Sequence, residues 1–255
     1  MSQTLHKYDP ERLCTYLQHH VAEFSGLAEI VKFSDGQSNP TYKLTDTAGR
    51  HFVLRAKPPG TLLKSAHAVD REFRVMTALA TTAVPVPQML HLSGEDSPLG
   101  AQFLVMEHLE GRVFWDPALP EQSPKFRQDA YHALVRTLAA LHDVDPQAVG
   151  LADFGKPGNY FSRQVARWTG QYRACETQTR PDMDWTIAWL ERNMVPDDGQ
   201  TAIVHGDYRL DNVMFDADTP DMIAVLDWEL STLGHPFADL AYQCMGLRLP
   251  QDGMI

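Results

Sequence analysis

Ile-Val-His-Gly-Asp-Tyr-Arg-Leu-Asp-Asn-Val, residues 203–213, is the most informative segment of this 255-residue chain. The mainly apolar run over residues 202–205, which overlaps the start of this segment, predicts a short strand that leads into a polar turn. The turn carries Asp207 and, five residues later, Asn212. The apolar run over residues 213–215 then predicts a second, returning strand. A carboxylate and an amide are therefore expected close together at the ends of two short strands.

A third apolar run, residues 222–226, leads to Asp227 in the same manner. A phosphoryl-transfer site needs a carboxylate that accepts a hydroxyl proton or orients the nucleophile, and oxygen ligands that hold Mg²⁺. Asp207 is the candidate catalytic residue for the first task, and Asn212 and Asp227 are the candidate metal ligands. The alternative is that all three are turn or strand-end residues without a chemical role.

The first 108 residues read as a β-rich unit with one inserted helix. Ahead of that unit's strands, the first 25 residues are predicted to be helical, because Asp9-Pro10 is a typical helix start. The inserted helix is predicted over residues 65–80, where apolar residues recur at helical spacing. Strands are predicted over residues 42–45, 51–55, 88–92 and 101–109, the first two of which form a hairpin.

After residue 108 the spacing of apolar residues becomes mainly helical. Apolar residues recur at helical spacing over residues 126–142, 162–174 and 185–193, and the short strands around Asp207 follow them. The predicted fold class is therefore α+β, with a β-rich N-terminal part at 1–108 and a mainly helical C-terminal part at 109–255.

The segment around Asp207 resembles the H-x-D-x-x-x-x-N loop of protein-kinase-like folds, in the H-G-D form of the aminoglycoside phosphotransferase and choline kinase families. Leu-Asp-Trp-Glu at residues 226–229 resembles the segment that carries the second metal-binding aspartate. The resemblance covers about residues 25–250 and implies a two-lobed fold, with an N-lobe at 1–108 and a C-lobe at 109–255. It also implies ATP and Mg²⁺ as cofactors and the hydroxyl of a small-molecule alcohol as acceptor. Because these families usually continue with further C-terminal helices, the C-lobe is expected to be incomplete.

Two upstream segments resemble the nucleotide-contacting parts of the family. Residues 35–39 resemble the phosphate-covering loop, although they contain one glycine where kinases have three. Residues 103–108 resemble the hinge, whose backbone meets the adenine. The nucleotide contacts implied by these two segments are Gly36, Ser38, Asn39, Met106, Glu107 and His108.

Residues 52–55 resemble the strand that carries the phosphate-pairing lysine, but Arg55 stands in that position. Arginine is a cation that binds phosphate in bidentate fashion, with a geometry unlike that of an ammonium group. Lys57 is the alternative phosphate ligand, because strand residues two apart share a face. Glu72 is expected on the buried edge of its helix, where a carboxylate needs a partner, so an ion pair between Glu72 and Arg55 is predicted.

Three further stretches resemble a narrower group, the kinase-like domain fused to some acyl-CoA dehydrogenases. They are Gly-Gln-Ser-Asn-Pro-Thr, Val-Leu-Arg-x-Lys-Pro-Pro-Gly and Ser-Ala-His-x-x-x-Arg-Glu. This resemblance favours a hydroxyacyl-CoA or hydroxy acid as acceptor over an aminoglycoside-like or choline-like alcohol. The arginine at position 55 and the glycine-poor loop keep a second function open, a catalytically inactive nucleotide-binding module, or pseudokinase.

Histidine and carboxylate side chains near Asp207 leave a third function open, a metal-dependent hydrolase. Its ligands would be His205, Asp207, Asp227, His235 and Asp239. In the phosphotransferase interpretation, His205 instead orients the loop, and Asp239 is expected to cap the helix that follows it.

The composition excludes several other classes. A formal net charge of −11 argues against nucleic-acid and anionic-membrane partners. The three cysteines are widely separated, which argues against a disulfide framework or a structural zinc site. Neither a signal peptide nor an apolar run of about 18 residues is found, so the cytoplasm is the expected location. The sequence makes no prediction of the oligomeric state.

Overall fold

A computed structural model describes residues 8–33, 39–58, 68–94, 96–245 and 248. In these ranges the helices are α1 (Pro10–His20), α2 (Val69–Leu79), α3 (Pro124–His142), α4 (Tyr160–Cys175), α5 (Pro181–Arg192) and α6 (Phe237–Met245). The strands are β1 (Leu27–Lys32), β2 (Thr41–Asp46), β3 (His51–Ala56), β4 (Met89–Leu92), β5 (Phe103–Glu107), β6 (Ala202–Val204), β7 (Val213–Phe215), β8 (Met222–Val225) and β9 (Thr232–Gly234).

The N-terminal strands form one antiparallel sheet in the order β1-β2-β3-β5-β4. Since successive residues of β3 point to opposite faces, Leu54 packs with α1 while Val53 packs with α2. Arg55 shares the α2 face, and the pairing of β3 with β5 places Val53 opposite Met106. The predicted hairpin of β2 and β3 and the predicted inserted helix are both present.

Helix α1 begins as the sequence predicts but is shorter than predicted. The Asp9 carboxylate accepts a hydrogen bond from the Glu11 amide at 3.0 Å, and Pro10 occupies the first helical position. Leu13 and Leu17 are fully buried against the sheet. The helix ends at His20 and does not continue over the first 25 residues, and its buried face consists of Leu13 and Leu17.

The C-terminal part combines helices with two small sheets, β6 with β9 and β7 with β8. Helix α3 buries Leu134, Leu138 and Leu141 in the same apolar cluster as the α2 face of the large sheet. Strand β9 was not predicted, because three residues carry too little periodicity to be recognised. The observed class is α+β, as predicted. Among the described residues, no helix has the length and hydropathy that crossing a bilayer requires.

Asp46 at the end of β2 gives a testable measure of how the hairpin is held. Its carboxylate accepts hydrogen bonds from the Arg50 amide at 2.8 Å, the Ala48 amide at 3.0 Å and the Ser25 hydroxyl at 3.0 Å. Burial raises the pKa of Asp46, but these hydrogen bonds outweigh it and lower the pKa to about 2.

Replacing Asp46 with Asn is expected to lower the free energy of unfolding by about 2 kcal/mol at neutral pH. The stabilisation belongs to the ionised carboxylate, so it is fully present above the unfolded-state pKa near 3.8 and is lost as the pH falls through about 2. Urea unfolding at several pH values should show the two proteins converging in acid. The exposed Asp218→Asn variant is the control, and a difference that does not change with pH would contradict the assignment.

Candidate active site

Asp207 lies in the loop between β6 and β7, one residue after a glycine that the turn requires. Gly206 has φ +87°, and a Cβ there would lie 2.9 Å from the Leu230 carbonyl oxygen. The Asn212 amide nitrogen donates to the Asp207 carboxylate and to its carbonyl oxygen, both at 2.9 Å. The predicted pair of Asp207 and Asn212 is therefore brought into direct contact.

His205 holds this loop in place from below. Its ring is fully buried, and Nδ1 accepts a hydrogen bond from the Asp207 amide at 3.2 Å. Nε2 consequently carries the proton and donates to the Leu226 carbonyl at 2.8 Å. Burial lowers the pKa of His205, so the neutral ring is the stable form. Both nitrogens are used, which agrees with an orienting role.

The expectation that Asp239 caps the helix after it is wrong. It lies inside α6, and its buried carboxylate accepts hydrogen bonds from the His205 and Gly206 amides, both at 2.8 Å. The His142 Nε2 atom lies 3.1 Å from the same carboxylate. Asp239 therefore anchors the backbone that presents Asp207. The sequence alone does not reveal this contact, because the partners are 33 and 34 residues apart.

Asp227 follows β8 and is placed beside Asn212 by the sheet register. Val213 pairs with Val225, and the Leu226 amide donates to the Asn212 carbonyl at 2.8 Å. Asp227 itself has φ 61° and ψ 56°, a left-handed conformation that is uncommon for a residue other than glycine. Such strain is concentrated at functional positions, where the surrounding structure maintains it.

Arg55 stands at the centre of a cluster of three carboxylates. Its Nε lies 3.1 Å from Glu72 Oε2, and one Nη atom lies 2.5 Å from Asp227 Oδ1 and 3.8 Å from Glu229 Oε2. The predicted ion pair between Arg55 and Glu72 is confirmed. Lys57 lies beyond the end of β3 with its ammonium 3.8 Å from Asp70, whereas Arg55 is in contact with Glu72.

Burial and the neighbouring opposite charges have opposing effects on the pKa values of Glu72 and Arg55. The Glu72 side chain is 1% exposed, and desolvation raises its pKa to about 7 although the Arg55 guanidinium opposes that rise. For Arg55, burial is outweighed by the neighbouring carboxylates, chiefly Glu72 and Asp227, so its pKa is raised. Neither Arg55 Nε nor Glu72 Oε2 completes a well-aligned hydrogen bond, so their contact is mainly an ion pair. Three carboxylates around one cation leave the site with an excess of negative charge.

The residues predicted to contact nucleotide lie in different parts of the structure. Asn39 is buried and its amide donates to Glu229 Oε2 at 3.2 Å, so it lies beside the carboxylate cluster. Met106 and Glu107 end β5, and the Glu107 carboxylate accepts from the Gln88 amide at 2.7 Å. The Glu107 amide in turn donates to the Gln88 carbonyl at 3.0 Å, so this residue is engaged with the segment that precedes β4. His108 follows directly. Gly36 and Ser38 lie outside the described residues.

Glu229 is a site residue that the sequence analysis did not single out. Its carboxylate meets both Asn39 and Arg55, and thereby connects the β2 and β3 region to the segment after Asp227. The available signal was its position two residues after a candidate metal ligand.

The donor set suits a hard cation such as Mg²⁺. Both hydrogen bonds of the Asn212 side chain use its nitrogen, which leaves the amide oxygen for a metal, and Asp227 supplies a part-exposed carboxylate. In contrast, the described ranges contain no cluster of three or more His, Cys, Asp or Glu side chains suited to a metal. His235, proposed as a hydrolase ligand, instead contacts Asp198 at 3.2 Å.

Replacing Gly206 with Ala is expected to abolish the geometry of this loop while leaving most of the protein folded. The added Cβ meets the Leu230 backbone, and a positive φ costs an alanine about 1–2 kcal/mol. We expect Tm to fall and the Asp207-dependent activity to drop by more than about tenfold. Differential scanning calorimetry and kinetics would measure both. Gly150→Ala, at φ +73° with open space around it, is the matched control for backbone strain.

This chain is similar to known proteins in sequence and in fold. The model of the phosphotransferase enzyme family matches residues 29–254. Acyl-CoA dehydrogenase family member 10 of Mus musculus is 50% identical over 226 residues, which are 89% of this chain and 21% of that protein. The chain spans between 21% and 31% of the length of the first curated relatives that it matches.

Solved structures agree in fold. A Ralstonia eutropha protein, provisionally assigned as an aminoglycoside phosphotransferase, is 48% identical with a TM-score of 0.85 over 97% of this chain and 72% of that chain. APH(2″)-IIa, solved in a ternary complex with streptomycin and ATP, is 17% identical with a TM-score of 0.63 over 92% of this chain and 75% of that chain. With its fold and the family match over residues 29–254, the chain belongs to the phosphotransferase enzyme family.

Proposed function

We propose that this protein is an ATP- and Mg²⁺-dependent phosphotransferase that acts on the hydroxyl of a small molecule. The observation that carries the proposal is the placement of four residues by hydrogen bonds, strand register and an ion pair. Asp207 bonds to Asn212, Asn212 joins Asp227 through the β7 and β8 register, and Asp227 meets Arg55. These are the carboxylate, the oxygen ligands and the cation that phosphoryl transfer requires.

Asp207 is the residue that receives the proton of the acceptor hydroxyl. One of its carboxylate oxygens is held by the Asn212 amide at 2.9 Å, which fixes the orientation of the group. His205 and Asp239 hold the loop backbone, so the carboxylate needs little reorganisation when the acceptor arrives. Positioning and electrostatics, rather than a covalent intermediate, supply the rate in this scheme.

Arg55 is the residue that holds the phosphates of the nucleotide. Its guanidinium uses Nε for Glu72 and Nη for Asp227, so the planar fork engages two partners at once. Glu72 would keep the Arg55 guanidinium oriented when the Asp227 carboxylate binds Mg²⁺. Asn212 and Asp227 would hold Mg²⁺, which when bound would neutralise charge on the migrating phosphoryl group.

ATP is the proposed donor, with support from family membership and from the ATP present in the APH(2″)-IIa complex. The nucleotide would lie between the large sheet and the C-terminal part, with the backbone at Glu107 and His108 near its base. We accordingly take the lobe boundary to lie near residue 108, since every strand of the large sheet precedes it.

The proposed acceptor class is a hydroxyacyl-CoA or hydroxy acid. Support comes from the 50% identity to an acyl-CoA dehydrogenase family member, whose remaining length is outside the match. Aminoglycoside-like and choline-like alcohols form the second class, with support from the Ralstonia eutropha neighbour.

Mass spectrometry of reactions with ATP and Mg²⁺ tests the proposal. The acceptor panel contains 4-hydroxyacyl-CoA, free hydroxy acids, choline and aminoglycosides. We expect an acceptor that gains the mass of one phosphoryl group, with ADP as the second product. Folded protein that binds ATP and phosphorylates none of these acceptors would contradict the proposed function.

One observation favours a second function, a nucleotide-binding module without turnover. Arg55, the proposed phosphate ligand, is paired with Asp227, the proposed metal ligand. The ion pair therefore competes with the binding of phosphate and of metal. Calorimetry separates the two functions when it is combined with turnover measurements. Tight ATP binding that does not change with Mg²⁺, without turnover, would support the module, whereas Mg²⁺-dependent binding with turnover supports the enzyme.

A further inference from the structure

Arg71 is the arginine of the Ser-Ala-His-x-x-x-Arg-Glu stretch, and the mechanism above does not use it. It lies on α2, one residue before Glu72. One Nη atom donates to the Phe154 carbonyl at 2.7 Å and to the Ser231 carbonyl at 3.2 Å. The guanidinium also lies over the Phe154 ring, 4.2 Å from its centre. A cation shared by two carbonyls and an aromatic face is a built contact rather than a solvated surface group.

Ser231 ends the short segment that begins at Asp227. A single 3₁₀ turn over Trp228–Leu230 connects the two, and the Ser231 amide and hydroxyl both bond to the Trp228 carbonyl, at 3.0 and 2.6 Å. These two hydrogen bonds connect Ser231 to Trp228 within the segment. Arg71 contacts its far end directly, and its near end is tied to α2 through Arg55 and Glu72.

Arg74, one turn further along α2, provides an internal comparison. It donates to the Gly150 carbonyl at 2.8 Å and pairs with Asp153, and it also lies near the Phe154 ring. Both arginines therefore fasten α2 to residues 150–154. Within the described residues, Arg74 has no hydrogen bond to Ser231, so Arg71 is the one of these two arginines that contacts the segment after Asp227, which Glu72 of α2 also meets at the Trp228 amide.

We infer that Arg71 is a positioning residue that holds residues 227–231 against α2 and thereby sets the place of Asp227 relative to Arg55. The part of this inference that concerns nucleotide rests on the proposed function. The part that concerns the segment itself does not, because the contacts join residues of this chain alone. Losing the contact at Ser231 would let the strained backbone at Asp227 relax, which would displace the carboxylate that pairs with Arg55 and that would also hold Mg²⁺.

Hydrogen exchange followed by mass spectrometry on the unliganded protein is the first test. Arg71→Met keeps the apolar stem over Phe154 and removes the donors, and Arg74→Met is the matched control. We expect amides of residues 227–231 to exchange about tenfold faster in R71M than in wild type, and to be unchanged in R74M. Equal exchange in R71M and R74M, or unchanged exchange in R71M, would overturn the inference. If R71M does not fold, R71K replaces it, with an intermediate acceleration expected because the lysine ammonium still donates hydrogen bonds but lacks the planar fork of the guanidinium.

Calorimetry with Mg²⁺ and ATP, and separately with adenosine, is the second test. Adenosine lacks the phosphates, so its affinity should be the same in R71M and wild type, while Mg²⁺-ATP affinity should fall about tenfold. Equal losses for both ligands would show a general structural defect and overturn the positioning role. If wild type binds no Mg²⁺-ATP, the proposed function fails, and the exchange measurement still decides whether Arg71 holds the segment.

Discussion

Asp207→Asn is expected to lower the turnover number about 10³-fold, the range that a positioned general base contributes. Asparagine cannot take the hydroxyl proton, yet its side-chain oxygen can still accept the Asn212 amide hydrogen bond that holds Asp207. The variant should therefore fold with an unchanged Tm and bind Mg²⁺-ATP as the wild type does. Single-turnover kinetics with the acceptor found by mass spectrometry would measure the loss in the chemical step.

The exposed Asp221→Asn variant removes one negative charge from the loop between β7 and β8 and is the control for a general charge effect. Its turnover should match that of the wild type. A turnover number in Asp207→Asn within about threefold of wild type would contradict the assignment, because removal of a working general base costs at least about 10².

Arg55→Met is expected to be the most destabilising single change in the site. The Glu72 side chain is 1% exposed, and the Arg55 guanidinium opposes the rise of its pKa, so without Arg55 the group must either stay a buried charge without its counter-ion or take up a proton, and both cost free energy. Breaking one side of a buried ion pair costs about 3–5 kcal/mol. Urea unfolding should show this loss, and the affinity for Mg²⁺-ATP should fall while the affinity for adenosine is retained.

The double variant Arg55→Met with Glu72→Gln separates the two effects. Removing the buried charge as well should recover most of the lost stability, because the cost arises from the unpaired carboxylate. Phosphate binding should not recover, since the cation is still absent. If the double variant is as unstable as Arg55→Met alone, the ion pair is not the source of the stability.

The local part of the site could be predicted from the sequence. Asp207, Asn212 and Asp227 each stand at the end of a short apolar run, and strand pairing then brings them together. The ion pair of Arg55 and Glu72 could also be predicted, because the family resemblance names both positions and a carboxylate on the buried edge of a helix needs a partner. Alternation along the strand alone leaves Lys57 as an alternative to Arg55.

The supporting contacts could not be predicted, because they join side chains to distant backbone atoms. Asp239 binds amides 33 and 34 residues away, and Arg71 binds a carbonyl 160 residues away. Neither leaves a pattern in its own helix, where an acidic or basic residue reads as a cap or a solvated group. Glu229 was missed for the same reason, as its partner Asn39 lies 190 residues earlier.

The most direct test of the central claim is a crystal structure of the protein with Mn²⁺ in place of Mg²⁺ and a non-hydrolysable ATP analogue. Anomalous diffraction locates the manganese independently of the coordinates. We predict a manganese peak bonded to the Asn212 amide oxygen and the Asp227 carboxylate, with the terminal phosphate facing Asp207 and Arg55. A nucleotide bound elsewhere, or manganese that contacts neither Asn212 nor Asp227, would contradict the account.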